Sequence, residues 1–455
     1  MIHSSGKSIE NYLKPGMHAH LVGIGGVSMR PLGLVLRSHG LIISGSDMNA
    51  SVSTDELMQK GIEVHIGHKA ENIQGADCII RTAAAHNDNP EIAAARIQGI
   101  PVFERAEAWG VIMKNYENAI CVSGTHGKTT TTSMITQIFM EAKKDPTVMI
   151  GGTLPLIQAG HRIGTGNTII LESCEYCNSF LNFFPTVALV LNIEADHLDF
   201  FKDLQDIQDS FRKFVQLVPA GGRIIANGDD ENTVAALHGL QYLSFGLSEK
   251  NDIYGKGFSS DWRRFDVFCE KKHYASLNLS VVGRHNALNA IAACAAAYHA
   301  GIDGTVVEKA LATFSGAGRR MEFKGRFNGA DVYDDYAHHP AELHALLTAA
   351  KQLNYKRVIC AFQPHTYTRT KAFFEEFIAE LQAADVPVLT DIYAARERNL
   401  IGISSKQLAD RLENAAYCPT LQDVTAYLKT IAQDGDLILT VGAGDIYKAG
   451  DMLLK

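Results

Sequence analysis

One segment, made of glycines, a lysine and several threonines, limits most strongly what this chain can fold into. It is Gly124-Thr-His-Gly-Lys-Thr-Thr-Thr-Thr132; the apolar run 119–122 precedes it, and apolar residues at helical spacing follow at 134–139. Glycines between a strand and a helix let the backbone wrap around a phosphate, and the helix N-terminus adds N–H groups and a positive dipole. The pattern therefore predicts a phosphate-binding loop, with Lys128 on the β- and γ-phosphates, Thr129 on Mg²⁺ and ATP as the ligand.

This loop is shorter than the common P-loop, which has a glycine where the present chain has Val122. Clusters of glycine and threonine also mark ordinary turns. Because a strand, glycines, a Lys-Thr pair and a helix coincide here, the sequence favours phosphate binding over a simple turn.

Length and composition narrow the class of protein. At 455 residues the chain is long enough for roughly three domains. A hydrophobic content of 46% and a charged content of 20% are typical of a globular protein, and the net charge of −8 argues against a nucleic-acid partner. The longest run of low polarity, 287–300, is rich in alanine and contains Asn289, which indicates a packed helix and no membrane span. Residues 1–7 lack the apolar region of a signal peptide, so we expect a cytoplasmic protein.

Eight cysteines are scattered along the chain, and in a cytoplasmic protein of this length they are expected to be free thiols. Cys174 and Cys177 form a C-x-x-C pair, the spacing found in zinc and redox sites. A structural zinc site usually has a second such pair, and a thioredoxin-like redox motif lies at the start of a helix that follows a strand. The sequence therefore favours unpaired thiols.

A second glycine turn lies near the N-terminus, where a predicted strand ends at Gly23, Gly25 and Gly26 and an apolar helix follows. Asp47 comes 24 residues after the first of these glycines, as in a dinucleotide-binding fingerprint, but Ser28 replaces the third fingerprint glycine. A Rossmann-like βαβ unit is expected; whether NAD, another nucleotide or nothing binds there stays open on the residues alone. Further strand candidates complete a first domain of about 115 residues: 64–66, 78–80 and 101–103.

Polar groups follow two more apolar runs, 168–172 and 187–197, which end at Glu172 and His197. Ligands of an open α/β sheet lie outside the carboxyl ends of its strands, so both side chains are expected in the same crevice as the phosphate loop. There they would contact metal or phosphate, although a carboxylate at a strand end is often only a helix cap or a surface group.

Candidate ligands recur towards the C-terminus. Asn286 and Asn289 share a helix face, where amides could contact an adenine edge, and Asn286 could alternatively cap the helix. The cluster of Asp335, His338 and His339 is equally compatible with a metal site and with a hydrogen-bonded loop. Further strands and an amphipathic helix over 371–384 indicate a third α/β unit.

Taken together and in order, five of these segments resemble the muropeptide ligases: the phosphate loop at 124–131, Asn-Ile-Glu-Ala-Asp-His-Leu-Asp at 192–199, His-Asn-x-x-Asn at 285–289, Gly-Arg-Arg at 318–320, and Asp-Asp-Tyr-Ala-His-His-Pro at 334–340. Motifs at 23–26, 44–47, 364–370 and 442–445 are similar to the branch of that family that uses L-alanine. The resemblance covers essentially the whole chain.

The resemblance implies an α/β protein of three domains. A Rossmann-like domain at 1–115 would hold a UDP-sugar, a central P-loop ATPase-like domain at 116–318 with a mostly parallel sheet would bind ATP, and a Rossmann-like α/β domain at 319–455 would close over ATP and the amino acid. The implied reaction, part of peptidoglycan synthesis, is ATP-dependent ligation of L-alanine to the lactyl carboxylate of UDP-N-acetylmuramate through an acyl phosphate. Mg²⁺ is the implied metal, and the state expected is a monomer or weak homodimer.

The same resemblance assigns roles to individual residues. Those implied in catalysis are Lys128, His197, Arg320 and Asp335. The nucleotide would contact Gly124, Thr125, His126, Gly127, Lys128, Thr129, Thr130, His285, Asn286 and Asn289. The metal ligands would be Thr129, Glu172 and His197. The UDP-sugar and amino acid would contact Gly23, Gly25, Gly26, Asp47, His338, His365 and Arg369.

Cys174, Cys177, Thr366 and Ser28 depart from the family pattern, while Glu172 and the second glutamate of its segment, Glu175, are kept. A recycling ligase that adds a preformed tripeptide to the same UDP-sugar shares the motifs and is the nearest alternative. A nicotinamide-dependent oxidoreductase would use the first glycine turn and leave the Gly-Lys-Thr loop without a role. A non-catalytic nucleotide-binding regulator is the third alternative.

Overall fold

The fold is taken from a computed structural model that describes residues 8–82, 84–198, 200–395 and 397–455. The segment 1–7, in which no signal peptide is expected, and Asp199 of the strand-end motif lie outside these residues. The described part of the chain forms three sheets, of five, ten and six strands.

The N-terminal sheet is parallel throughout, with the strand order β3-β2-β1-β4-β5. Its central strand β1 leads into the first glycine turn, so this turn lies at the point where the strand order reverses, the usual ligand crevice of such sheets. The elements are β1 (His18–Val22), α1 (Met29–Ser38), β2 (Ile42–Asp47), α2 (Val52–Gln59), β3 (Glu63–Ile66), β4 (Cys78–Arg81), α3 (Pro90–Gln98), β5 (Val102–Glu104) and α4 (Arg105–Met113).

The central sheet has the order β15-β14-β13-β12-β11-β10-β6-β9-β7-β8. Most of its pairs are parallel; β13 to β15 and the β7–β8 hairpin are antiparallel. The elements are β6 (Asn118–Ser123), α5 (Lys128–Glu141), β7 (Thr147–Leu154), β8 (Ala159–Arg162), β9 (Thr168–Glu172), β10 (Val187–Val190), α6 (Leu204–Val215), β11 (Arg223–Asn227), α7 (Glu231–Ala236), β12 (Leu243–Gly246), β13 (Ile253–Lys256), β14 (Arg264–Cys269), β15 (Lys272–Asn278), α8 (Arg284–His299) and α9 (Gly304–Ala312).

The C-terminal sheet has the order β16-β17-β21-β18-β19-β20, with β16 antiparallel and the remaining pairs parallel. The elements are β16 (Glu322–Phe327), β17 (Ala330–Asp335), α10 (Pro340–Lys351), β18 (Arg357–Phe362), α11 (Tyr367–Ala372), α12 (Phe374–Leu381), β19 (Val386–Leu389), α13 (Ser405–Ala409), β20 (Ala416–Tyr417), α14 (Leu421–Ile431), β21 (Asp436–Val441) and α15 (Tyr447–Leu453). The three-part α/β architecture is confirmed. We propose 115/116 and 318/319 as the domain boundaries, since both fall between sheets.

The hydrophobic cores show how the N-terminal and central units are joined to each other. One core is continuous from the N-terminal sheet into the central sheet through α4, whose buried Trp109 and Ile112 face the same cluster as Phe180. Gly110 permits this approach, because a Cβ there would lie 2.0 Å from the carbonyl oxygen of Asn182. The alanine-rich helix α8 is buried between α5 and the sheet, as its composition predicts.

Two predicted elements differ from the structure. The single helix expected at 371–384 is wrong: Phe373, with φ −114° and ψ 31°, separates α11 from α12. The predicted apolar face belongs to α12, which buries Phe377, Ile378 and Leu381, whereas the buried residue of α11 is Thr370. The run 187–197 is a strand only to Val190, because beyond it the chain turns over the phosphate loop.

All eight cysteines lie in the described part of the chain, and none takes part in a disulfide, as expected. Within the same residues, no helix combines the length and the apolar character needed to cross a bilayer.

Candidate active site

The phosphate loop leaves β6 and enters α5, as the sequence predicts. Gly124 and Gly127 have φ values of +143° and +83°, in the region that favours glycine. A Cβ at Gly124 would lie 2.9 Å from Leu191, and one at Gly127 would lie 2.5 Å from the Asn289 amide oxygen. The loop is therefore closely packed between the segment after β10 and the start of α8, and only glycine fits at these two positions.

Lys128, the first residue of α5, points into this loop. Its ammonium donates to the carbonyl oxygens of Gly124 and Thr125 and to the Glu175 carboxylate, at 3.0 Å from Oε2. Burial alone would lower the pKa of Lys128, but Glu175 and Glu172 outweigh it and raise the pKa. Lys128 is therefore a fixed positive charge at neutral pH, placed where a phosphate would meet the helix start.

Thr129 and Glu172 stand next to each other at the ends of α5 and β9. The hydroxyl of Thr129 donates to Glu172 Oε2 at 2.9 Å, and the N–H of Gly151 donates to the same oxygen at 2.7 Å. A hydroxyl and a carboxylate oxygen are ligands that Mg²⁺ accepts, so these two residues fit the expected metal site.

His197 lies seven residues beyond the end of β10 and faces the same group of charges. Its Nε2 is 3.8 Å from both Glu175 and Asp196, and its ring centroid lies 4.6 Å from that of Tyr176, with the two ring planes tilted by 39°. Burial lowers the pKa of His197 although both carboxylates oppose this, so the imidazole is neutral at neutral pH. His197 also has a φ of +55°, a conformation that non-glycine residues adopt mainly where surrounding contacts enforce it.

Arg369 reaches this group from the C-terminal unit. Its Nη2 donates to Asp196 Oδ1 at 2.9 Å, and its Nη1 lies 3.5 Å from His365 Nδ1. The ring of His365 is 5.7 Å from that of His338. The structure thus brings together the three residues expected at the amino acid and sugar carboxylate, and Asp196 joins them to the central unit.

A cavity of roughly 240 Å³ lies between α8 and the C-terminal unit. Six of the ten residues expected at the nucleotide line it: His126, Gly127, Thr130, His285, Asn286 and Asn289. Its walls include His285, Asn286 and Asn289 on one side and Arg320 and Asp335 on the other. The side chain of Asn286 donates to the Val282 carbonyl, which leaves the cap of α8 to Gly283. Burial lowers the pKa of His285 to about 4, so this histidine is neutral.

The paired arginines have different partners. Arg319 donates to Asp334 and to the carbonyls of Gly442 and Gly444, which fixes the last glycine motif within the C-terminal sheet. Arg320 instead lines the nucleotide cavity. Asp335 accepts the N–H groups of Met321 and Ala337, and burial raises its pKa to about 6. The cluster at 335–339 is thus organised by hydrogen bonds within the loop.

A second cavity, of roughly 300 Å³, lies between the first glycine turn and the central site. Gly26, Ser28 and Arg105 line it from the N-terminal side, and Glu172 and Cys174 line it from the central side. The Arg105 guanidinium donates to the Ser28 hydroxyl. This cavity joins the glycine turn directly to the carboxylate at the metal position.

The N–H groups of the glycine turn are bonded within the protein. Those of Gly23 and Ile24 donate to the Ser46 carbonyl, that of Gly25 donates to the Asp47 carboxylate, and that of Gly26 donates to the Gly23 carbonyl. Asp47 therefore holds the turn in this structure, and the cation nearest the turn in the cavity wall is Arg105.

Several residues of the site were missed by sequence reasoning: Arg105, Asp196, Glu194 and Glu342. Arg105 and Glu342 stand alone in the sequence, without a local pattern that indicates a site. Glu194 and Asp196 lie within the motif at 192–199 but were given no role there. Glu175 was noted in the sequence as the second glutamate of the Glu172 segment, but its contact with Lys128 was not predicted.

Comparisons with known proteins agree with this arrangement. Three family profiles match in sequence: "Mur ligase family, catalytic domain" at 18–117, "Mur ligase middle domain" at 122–297, and "Mur ligase, glutamate ligase domain" at 319–444. The chain belongs to the Mur ligase family.

Among its relatives, the UDP-N-acetylmuramate–L-alanine ligase of Agathobacter rectalis is 46% identical over 98% of this chain and 99% of the relative. The ligase of the same name from Acetivibrio thermocellus is 44% identical over 96% of each chain. Among solved structures, the UDP-N-acetylmuramate-alanine ligase of Thermotoga maritima has a TM-score of 0.82 at 29% identity, covering 96% of this chain and 98% of its own. A murein peptide ligase of Psychrobacter arcticus has a TM-score of 0.74 at 25% identity with the same coverage.

Proposed function

We propose that this protein joins L-alanine to the lactyl carboxylate of UDP-N-acetylmuramate in peptidoglycan synthesis, with conversion of ATP to ADP and phosphate. The observation that carries the proposal is the cleft in which the phosphate loop, the strand-end carboxylate and two arginines of the C-terminal unit meet. The relatives with this name cover nearly the whole chain, which supports the same substrates.

The chemistry follows from the substrates. A carboxylate is inert towards an amine at neutral pH, so one of its oxygens first attacks the γ-phosphorus of ATP and ADP leaves. The neutral amine of L-alanine then attacks the carbonyl carbon of the acyl phosphate, loses a proton and expels phosphate. Both steps need positioning and charge neutralisation and no enzyme nucleophile, which suits a site of Lys128, Arg320 and Arg369.

We assign the nucleotide groups as follows. Lys128 holds the transferring phosphate and Arg320 approaches it from the C-terminal unit, while Asn289 binds the base and Asp335 faces the sugar. Thr129 and Glu172 would hold Mg²⁺, with His197 on a second ion or its water. When bound, Mg²⁺ neutralises charge on the phosphate oxygens.

The UDP-sugar is assigned to the cavity of roughly 300 Å³ between the glycine turn and Glu172. Because the turn's own N–H groups bond within the protein, Arg105 supplies the positive charge for the diphosphate. The lactyl carboxylate would then extend towards Lys128, with His338, His365 and Arg369 beside it and beside the amino acid.

The test is ADP release by the full chain with UDP-N-acetylmuramate and a panel of acceptors: L-alanine, glycine, L-serine and the tripeptide L-alanyl-γ-D-glutamyl-meso-diaminopimelate. Release that needs both the UDP-sugar and L-alanine is expected. Release with the tripeptide and none with L-alanine would instead identify a recycling ligase. Cytoplasmic location and a monomer or weak homodimer are our expectations for the same protein.

A further inference from the structure

A chain of alternating charges crosses from the phosphate loop to the C-terminal unit. His126 of the loop lies between two carboxylates, with Nε2 3.4 Å from Glu194 and Nδ1 3.4 Å from Glu342. Glu342 Oε1 is also 3.6 Å from Arg320 Nη1. Its other oxygen accepts the backbone N–H of His338 at 3.0 Å. One carboxylate on the first turn of α10 therefore contacts three residues that were assigned to nucleotide or substrate.

His126 is fixed on the central side of this contact. The backbone N–H of His126 donates to the Asn192 side-chain oxygen at 2.8 Å. The Asn192 side-chain NH₂ donates to the backbone carbonyl of His126 at 3.1 Å. Burial alone would lower the pKa of His126, but Glu194 and Glu342 raise it to about 9. The imidazole is therefore a cation at neutral pH, and it offsets two carboxylates that would otherwise repel the phosphates of a nucleotide.

We propose that Glu342 is a positioning residue for the nucleotide: it holds Arg320 over the cavity and pairs with His126, so that docking of the C-terminal unit and ordering of the phosphate loop occur together. The proposal rests on the proposed function only in taking ATP as the nucleotide. Glu342 is 11% exposed and lines the nucleotide cavity, so its charge acts where water is largely excluded.

A metal site is the alternative explanation for the groups around His126, because ligand atoms of His126, Glu194 and His339 lie within 4.8 Å of one another. His339 Nδ1, however, accepts the Ala341 N–H, which places the ring proton of the neutral histidine on Nε2. The observations therefore favour the ion pair.

The experiment compares Glu342→Gln, which keeps the shape and removes the charge, with Glu380→Gln. Glu380 is a matched control, because its Oε2 also contacts a histidine, at 2.7 Å from Nδ1 of His344 in α10, but it lies outside the cavity. ATP binding to the full chain is measured by calorimetry without UDP-sugar or amino acid, and thermal unfolding checks the fold. We expect Glu342→Gln to weaken ATP binding by about tenfold or more and Glu380→Gln to leave it unchanged.

Two further readouts separate positioning from a general loss of structure. His126→Gln combined with Glu342→Gln should weaken binding by less than the product of the single effects, since both remove the same pair. Without Glu342 the pKa of His126 falls, so the loss in Glu342→Gln should grow as pH rises from 6.5 to 8.5. The titratable and charged groups that face the pair are Glu194, Asp335, His338, His339 and Arg320. They are unchanged in Glu380→Gln, so the pH dependence of ATP binding to this control contains their contribution and is subtracted.

Equal ATP binding by wild type and Glu342→Gln would overturn the proposal, as would fully multiplicative effects with a pH-independent loss. Stoichiometric zinc in the purified protein, lost on His126→Gln, would overturn it in favour of a metal site. Because these measurements use ATP alone, they are independent of whether the acceptor is L-alanine.

Discussion

Lys128 forms a buried ion pair with Glu175, whose side chain is 3% exposed. Replacing Lys128 therefore affects both activity and stability, and the two effects can be measured separately. Lys128→Ala should abolish ADP release because the transferring phosphate loses its counter-charge. It should also lower the unfolding free energy by about 3 kcal/mol, since it leaves Glu175 buried without its cation.

The double variant Lys128→Ala with Glu175→Gln removes that unpaired charge, so it should recover much of the lost stability and none of the activity. Thermal unfolding and ADP release, measured on the same three proteins, check both parts. ADP release at the wild-type rate by either variant would contradict the phosphate-loop assignment.

Glu172 accepts a hydroxyl and an N–H, and a glutamine can still accept both with its carbonyl oxygen. Glu172→Gln should therefore fold normally while the Mg²⁺ concentration for half-maximal activity rises by at least about tenfold, because a neutral amide is a poorer ligand for a hard cation. The measurement is a magnesium titration of ADP release, with the exposed Glu270→Gln as control. An unchanged titration would remove Glu172 from the metal site.

At the scale of elements, strands and glycine turns were predictable and the contacts between distant segments were not. The runs at 119–122 and 168–172 gave their strands to within a residue, because buried parallel strands are short and strongly apolar. The break at Phe373 gave no signal, since Phe373 is itself apolar and fits the spacing that predicted one helix. Arg369 was predicted beside the substrate, but its partner Asp196 is 173 residues away in sequence and only the fold brings them together.

The start of α3 is a second place where contacts between distant segments could not be inferred from the sequence. Glu91 is fully buried there and accepts hydrogen bonds from Ser46 and Asn72, both at 2.6 Å, with His20 and His68 nearby. Burial alone would raise the pKa of Glu91, but these partners lower it from 4.5 to about 2. The stabilisation is therefore complete above pH 4.5 and is lost as pH falls towards 2.

Glu91→Gln should lower the unfolding free energy of the N-terminal unit by about 3 kcal/mol at pH 7, with the difference from wild type shrinking below pH 4.5. Urea unfolding is followed by the fluorescence of Trp109, in a Trp262→Phe background, which reports on the core that this unit shares with the central sheet. Glu71→Gln, an exposed change on the neighbouring turn, is the control. A difference between Glu91→Gln and wild type that does not change with pH would contradict the assigned charge state.

At the scale of the whole molecule, the site exists only where the three units meet. Glu172 and Lys128 come from the central unit, Arg320 and Arg369 from the C-terminal unit, and Arg105 from the N-terminal unit. An acyl phosphate formed among them would be shielded from water by the same closure that brings the groups together. Under the proposed function, phosphorylation of the carboxylate would require ATP, Mg²⁺ and UDP-N-acetylmuramate, whereas amide formation would also require the amine.

Without L-alanine the acyl phosphate should therefore form reversibly in the closed site. ATP labelled at its β,γ-bridging oxygen should then scramble the label, because the terminal phosphate of bound ADP rotates before ATP forms again. Scrambling should depend on UDP-N-acetylmuramate and should not depend on L-alanine. Hydroxylamine provides a second readout, since it should trap the intermediate as a hydroxamate of the sugar nucleotide even where rotation of the phosphate is blocked. An enzyme that makes the amide while giving neither scrambling nor hydroxamate would reject the acyl-phosphate route.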